Sequence, residues 1–132
     1  MKKKNIITIS ASIFVLVVIT ISSTIIANQY AAQSDGTIEV ELVDLDNSIE
    51  EDKIIQFDNG DSLIFLLESN FSNVDIENGM LMSIGTFTTA SDWSTFISIY
   101  VDNEMSLVGI EDISFIDGTI ISLKMTEYDP NY

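Results

Sequence analysis

The sequence predicts an α+β domain, a mixed sheet with one packed helix, preceded by an amino-terminal transmembrane or signal helix. Three observations point there. A charge-free apolar stretch follows a lysine cluster at the amino end. Beyond it, several short segments alternate apolar and polar side chains, as half-buried strands do. One other segment, residues 62–70, spaces its leucines for a helical face.

The amino-terminal element comes first. Lys2, Lys3 and Lys4 precede residues 5–34, which carry no charge. Residues 6–27 form a run of 22, of which 15 are apolar and the rest are Ser or Thr. As a helix this run is roughly 33 Å long, enough to cross a hydrocarbon core of about 30 Å. A cleaved signal peptide is the alternative, with residues 13–19 as its apolar centre. Cleavage after Ala27 or Ala32 places Ile25 or Tyr30 at −3, where a small residue is wanted. The run therefore reads as an uncleaved signal anchor, and the lysines keep its amino end in the cytoplasm. The expectation is a single-pass protein of the cell membrane, its remainder outside, with a secreted form as the alternative.

Residues 28–36 read as a short linker, and residues 37–132 as one domain. Ile38, Val40 and Leu42 alternate with Glu39 and Glu41, so 38–42 is a strand with one dry face. A polar turn at Asp46-Asn47-Ser48 leads to a second strand over 53–57, giving a hairpin. Asp58-Asn59-Gly60 breaks the chain, and Asp61 is a suitable N-cap for a helix over 62–70. Leu63, Leu66, Leu67 and Asn70 share its face. Asn78-Gly79 opens a strand over 80–87 in which Gly85 marks a bulge. Residues 88–93 are a polar loop ending in Trp93, followed by a strand over 96–101 and a tight turn at Asp102-Asn103. Asp117-Gly118 is hairpin-like punctuation before a last strand over 119–126.

Composition removes whole classes of function. The 132 residues include 21 Asp and Glu against five lysines, with no His or Cys, for a net charge of −16. Without His or Cys there is no usual zinc, haem or iron–sulfur site, no cysteine nucleophile and no Ser-His-Asp triad. Twenty of the acids and only two lysines fall in residues 37–132. Such a field repels nucleic acid, so no nucleic-acid partner is expected.

The order strand hairpin, helix, further strands resembles a β-grasp domain. Five short pieces make the likeness more particular: Gly60-Asp61-Ser62-Leu63, the run Asn78-Gly79-Met80-Leu81-Met82-Ser83-Ile84-Gly85, Ile99-Tyr100-Val101-Asp102-Asn103, Val108-Gly109-Ile110, and Asp117-Gly118-Thr119-Ile120. With their spacing, they resemble the transcobalamin-like carboxy-terminal domain of bacterial surface proteins, over roughly residues 37–127. The family usually carries Asn-Gly where this chain has Asp102-Asn103, and Gly-Asp where it has Gly118-Thr119. The resemblance implies a ligand-binding or partner-binding ancestry, corrinoid-like in the family, rather than cobalamin binding itself. The helical barrel that completes the family's cobalamin carriers is missing here.

Asp44, Asp46 and Ser48 mimic the start of a calcium loop, but Ile49 replaces the required Gly and Ile55 the closing Glu. No metal and no cofactor is expected. No carboxylate pair stands out for acid–base work, and the chain reads as a non-enzyme. The binding candidates are aromatic. Trp93 sits in a polar loop between Asp92 and Ser94. Phe87, Phe96 and Tyr100 either complete an apolar platform around it or belong to the sheet core. The partner is then a small soluble ligand or, alternatively, another surface protein, with the membrane engaged through the amino-terminal helix.

Overall fold

A computed structural model describes residues 31–131. The run 6–27, read above as a membrane span, lies outside the described residues. Among the described residues no helix is long and apolar enough to cross a membrane. The chain forms β1 (Gly36–Val43), β2 (Ile49–Phe57), α1 (Leu63–Asn70), β3 (Asp75–Glu77), β4 (Met80–Ile84), β5 (Phe87–Thr88), β6 (Thr95–Val101), β7 (Glu104–Met105), a 3-10 turn (Ile110–Asp112) and β8 (Ile120–Glu127). The described residues are mixed α+β, mostly sheet with one helix. Five strands pair in the order β2-β1-β8-β6-β7, and β3-β4-β5 make a second, smaller sheet. Among the described residues only the β1–β8 pairing is parallel, and the other pairs are antiparallel.

Alternation decides which way each strand faces. Ile38, Val40 and Leu42 of β1 are buried beside Ile121 and Leu123 of β8. They meet Leu63, Leu66 and Leu67 of α1, and Leu81, Ile84 and Phe87 of the small sheet, in one core. The odd-numbered β1 positions carry Glu39 and Glu41 to the other face, where the Ser122 hydroxyl donates to Glu41 Oε2 at 3.0 Å.

The helix starts one residue later than the sequence suggests. Ser62 is the N-cap, its Oγ accepting from Phe65 N at 3.1 Å. Asp61 instead accepts from Asp58 N at 2.9 Å, closing the turn before the helix. The strand expected over 80–87 is two strands. Gly85, at φ 58°, is a turn residue and not a bulge, and Ile84 pairs with Phe87 across it. β3 escaped the sequence reading because three residues are too few to show a period. Asn78-Gly79 joins β3 to β4 with φ 52° and 77°, and Asp102-Asn103 joins β6 to β7 with φ 48° and 67°. Both are two-residue turns of the kind whose twist suits a hairpin. Asp117-Gly118, by contrast, joins no paired strands. Its turn docks on β1: Asp117 Oδ1 accepts from Thr37 N and Gly118 N donates to Thr37 O, each at 2.8 Å.

The Asp44–Ser48 turn uses its acids internally. Asp46 Oδ1 accepts from the Ser48 amide at 3.0 Å and from its hydroxyl, which holds the Asp46 carboxyl below the usual carboxylate range. Across the outer sheet face, the Glu39 carboxyl shares a hydrogen bond with Asp52 and feels its charge, and both raise the Glu39 pKa.

That pair carries a sign that can be checked. The penalty on the folded state is complete above the raised Glu39 pKa and is relieved as pH falls toward the ordinary glutamate value. Glu39→Gln therefore raises the melting temperature at neutral pH, and its advantage shrinks on acidification through that window. Melting curves of both proteins across the acid range test this; a constant offset at every pH contradicts it.

Candidate functional site

Four segments meet along the outer edge of β6. The first is the loop after β5. Thr89 N donates to Met82 O at 2.8 Å, Ala90 N to Thr95 O at 3.0 Å, and Trp93 N to Ala90 O at 3.0 Å. These bonds fold residues 90–95 into a tight reverse turn. Asp92 Oδ1 accepts from Ser94 N at 3.0 Å, and hydrogen bonds from Ser94 hold the Asp92 carboxyl below the usual carboxylate range. Trp93 takes φ 61° in this turn, a left-handed conformation that costs a bulky residue roughly 1–2 kcal/mol. The indole in this turn is 43% exposed.

The second segment is the edge of β6 itself. β7 pairs only with Tyr100 and Val101, so among the described residues the earlier part of β6 has no strand beside it on that edge. The third is residues 105–109. Ser106 N donates to Ile99 O at 2.8 Å, while Ser106 Oγ accepts from Val108 N at 3.2 Å and donates to Val108 O at 3.0 Å. This small turn projects Leu107, which is 96% exposed. The fourth is the start of β4, pinned by Ile110 N donating to Gly79 O at 3.1 Å. Gly109 permits the contact, since a Cβ there would lie 2.6 Å from Gly79 O.

Between these segments lies a groove of about 340 Å³. Met80, Trp93, Met105, Leu107 and Val108 line it, five of the eleven large apolar side chains exposed among the described residues. Phe96, Ile97 and Ile99 line it as well, and no lining residue carries a charge. Thr89 borders it at 7% exposure, with a buried hydroxyl that has no hydrogen-bond partner among the described residues. Chemically this is a surface for apolar contact with polar selection at a few points.

The aromatic candidates separate. Trp93 and Phe96 share the groove. Phe87 is 5% exposed and belongs to the core, because the β4–β5 hairpin turns it inward. Tyr100 is four residues from Phe96 along β6, about 13 Å away. There it borders a different recess, with Lys124 Nζ 4.3 Å from its ring centroid. Met80, Thr89, Met105, Leu107 and Val108 were not anticipated. Leu107-Val108, an adjacent apolar pair in a stretch without periodicity, was the one available signal. Among the described residues no group of three or more acidic side chains is placed to hold a metal ion.

No family model and no curated protein matches the chain. Solved structures do. A proposed metal-binding protein from Ruminococcus gnavus aligns with a TM-score of 0.57 at 20% identity, over 71% of this chain and 99% of that one. Haptocorrin in complex with Cbi aligns with a TM-score of 0.57 at 12% identity, over 74% of this chain. The match spans 26% of the haptocorrin chain. At these identities the likeness is one of fold.

The Gly79–Gly109 contact sets the groove wall, and its weight is measurable. Gly109 has φ −70°, which alanine adopts freely, so Gly109→Ala adds only the clash. Chemical denaturation should show a loss of roughly 1–3 kcal/mol, the usual cost of overpacking. An unchanged midpoint would mean the two loops part without penalty.

Proposed function

We propose that this chain is an extracytoplasmic, membrane-anchored binding module of the transcobalamin-like β-grasp type, and that it holds a small soluble ligand in the groove beside Trp93. The observation that carries the reading is the convergence of exposed apolar side chains on one uncharged groove, with a tryptophan held there in a strained conformation. Exposed apolar patches of this kind mark binding sites, and backbone strain persists where function uses it. The β-grasp assignment is supported by the parallel β1–β8 pair at the centre of the main sheet with α1 over one face. Ligand binding by the fold is supported by haptocorrin, which was solved with Cbi. No groove residue is titratable, which favours a binder over a catalyst.

A second reading makes the same face a contact for another surface protein. It is favoured by Leu107, which stands almost wholly in solvent and so is available to a flat partner. The sole tryptophan separates the two readings. In a ligand module its fluorescence responds to a small molecule, and in an interaction module only to protein.

Trp93→Gly is the informative variant. It removes the indole and relieves the left-handed strain together, so stability should stay within about 1 kcal/mol of wild type. Affinity for the true ligand should fall by ~2 kcal/mol or more, as it does for buried aromatic anchors. Unfolding of the variant, with normal binding by whatever remains folded, assigns Trp93 to the core instead.

For the anchor, the mature protein should fractionate with membranes and begin at or near Met1. Amino-terminal sequencing that starts at Asn28 or Gln33 points to secretion.

A further inference from the structure

We propose that the groove takes a compact, uncharged and mainly apolar molecule bearing one hydrogen-bonding group, and that Thr89 is the residue that recognises that group. This rests on the groove reading above and adds the ligand class and a specificity residue.

The hydroxyl of Thr89 is the first argument. Thr89 is 7% exposed, and its Oγ1 lacks a partner among the described residues. Buried hydroxyls are nearly always paired, so an orphan calls for a cause. Its backbone is fixed by the bond to Met82 O, and its branched side chain has few rotamers. The side chain is therefore fixed at the border of the groove, its hydroxyl buried and without a partner among the described residues.

Charge supplies the second argument. No lining residue is ionised, and the nearest flanking groups are acids, Asp92 beside Trp93 and Glu111 with an oxygen 4.0 Å from a Cβ placed on Gly79. Both lysines of the described residues are engaged elsewhere: Lys53 pairs with Glu51 at 3.2 Å, and Lys124 lies over Tyr100. An anion entering the groove meets repulsion and no counter-ion. A cation entering it loses water and finds no carboxylate in the lining.

Shape supplies the third. A free sheet edge invites an added strand, but this one is closed at both ends. Ala90 N already bonds Thr95 O, and Ser106 N already bonds Ile99 O. Ile97 is the one edge position between them, in a gap of about 13 Å. An extended peptide has no path through it. A volume of about 340 Å³ suits a small molecule.

The test uses the full chain in lipid nanodiscs, with 5-fluorotryptophan at Trp93, the sole tryptophan, as a fluorine NMR reporter. The probes share one apolar body: p-cresol, p-xylene and p-toluate. Wild type should bind p-cresol most tightly and p-toluate least. Thr89→Val should weaken p-cresol roughly five- to ten-fold, about one hydrogen bond, and leave p-xylene unchanged. Thr89→Ser should keep the preference for p-cresol. Without probe, Thr89→Val should melt no lower than wild type, because it removes an unpaired polar group.

The failures are distinct. If no probe shifts the wild-type signal, the groove reading itself falls. If the probes bind but Thr89→Val weakens p-cresol and p-xylene alike, or not at all, Thr89 is not the recognising group. If p-toluate binds best, the uncharged ligand class is wrong. A lower melting point for unliganded Thr89→Val shows that the hydroxyl is already satisfied, by a buried water for instance, and overturns its proposed role.

Discussion

β1 lies between β2, which follows it directly, and β8, which closes the domain some 80 residues later, and its parallel pairing with β8 fixes where everything else must go. A parallel pair cannot be joined by a tight turn, so the chain has to cross over one face of the sheet before β8 can pair with β1. α1 and the small sheet make that crossing, and β6 and β7 then rejoin the main sheet on the far side of β8. The register is held by a latch at the strand entrance, where Asp117 and Gly118 bond both sides of Thr37. Gly36 lets the latch close, because a Cβ there would lie 2.7 Å from Asp117 Cβ.

The groove is a consequence of this arrangement. β8 spends one edge on β1 and the other on β6, which pushes β6 outward and leaves its far edge to the two residues of β7. The small sheet, packed over the inner face, brings Met80 opposite that edge. Edge strands are usually shielded by charge or by a covering loop. Here the shielding consists of Trp93 on one side and the Ser106–Val108 turn on the other, both of which are apolar at the rim. Stability is given up on two counts, the strained Trp93 backbone and a Thr89 hydroxyl without a partner among the described residues. Such losses are what the proposed binding role would draw on.

The acidic surface acts at longer range. Lys53–Glu51 is the sole ion pair among the described residues, so the field of the remaining carboxylates is left to solvent and counter-ions. That field does little for the fold and, across β1 and β2, opposes it slightly through Glu39 and Asp52. Its effect on function is selective. It disfavours anions throughout the domain, and the uncharged groove lies within it.

Much of the fold was legible because periodicity and turn chemistry act locally. Residues 38–42 and 119–126 declare a strand by alternation and 96–101 by its β-rich composition, and Asn78-Gly79 and Asp102-Asn103 declare their turns by tolerance of positive φ. The leucine spacing of 63, 66 and 67 declares the helix. Trp93 stood out as an aromatic in a polar loop. Other features were decided only when the chain folded. Asp117-Gly118 looks like a hairpin until β8 is seen to run parallel to β1. Phe87 and Tyr100 look equivalent to Phe96 until a hairpin turns one into the core and distance along the strand separates the other. Met80, Thr89, Met105, Leu107 and Val108 span 29 positions and share no period, so no local rule could have grouped them. Local sequence determines which face of an element is dry, but a groove is built from the edges of several elements. Which edges meet depends on sheet order, and sheet order is set by long-range pairing.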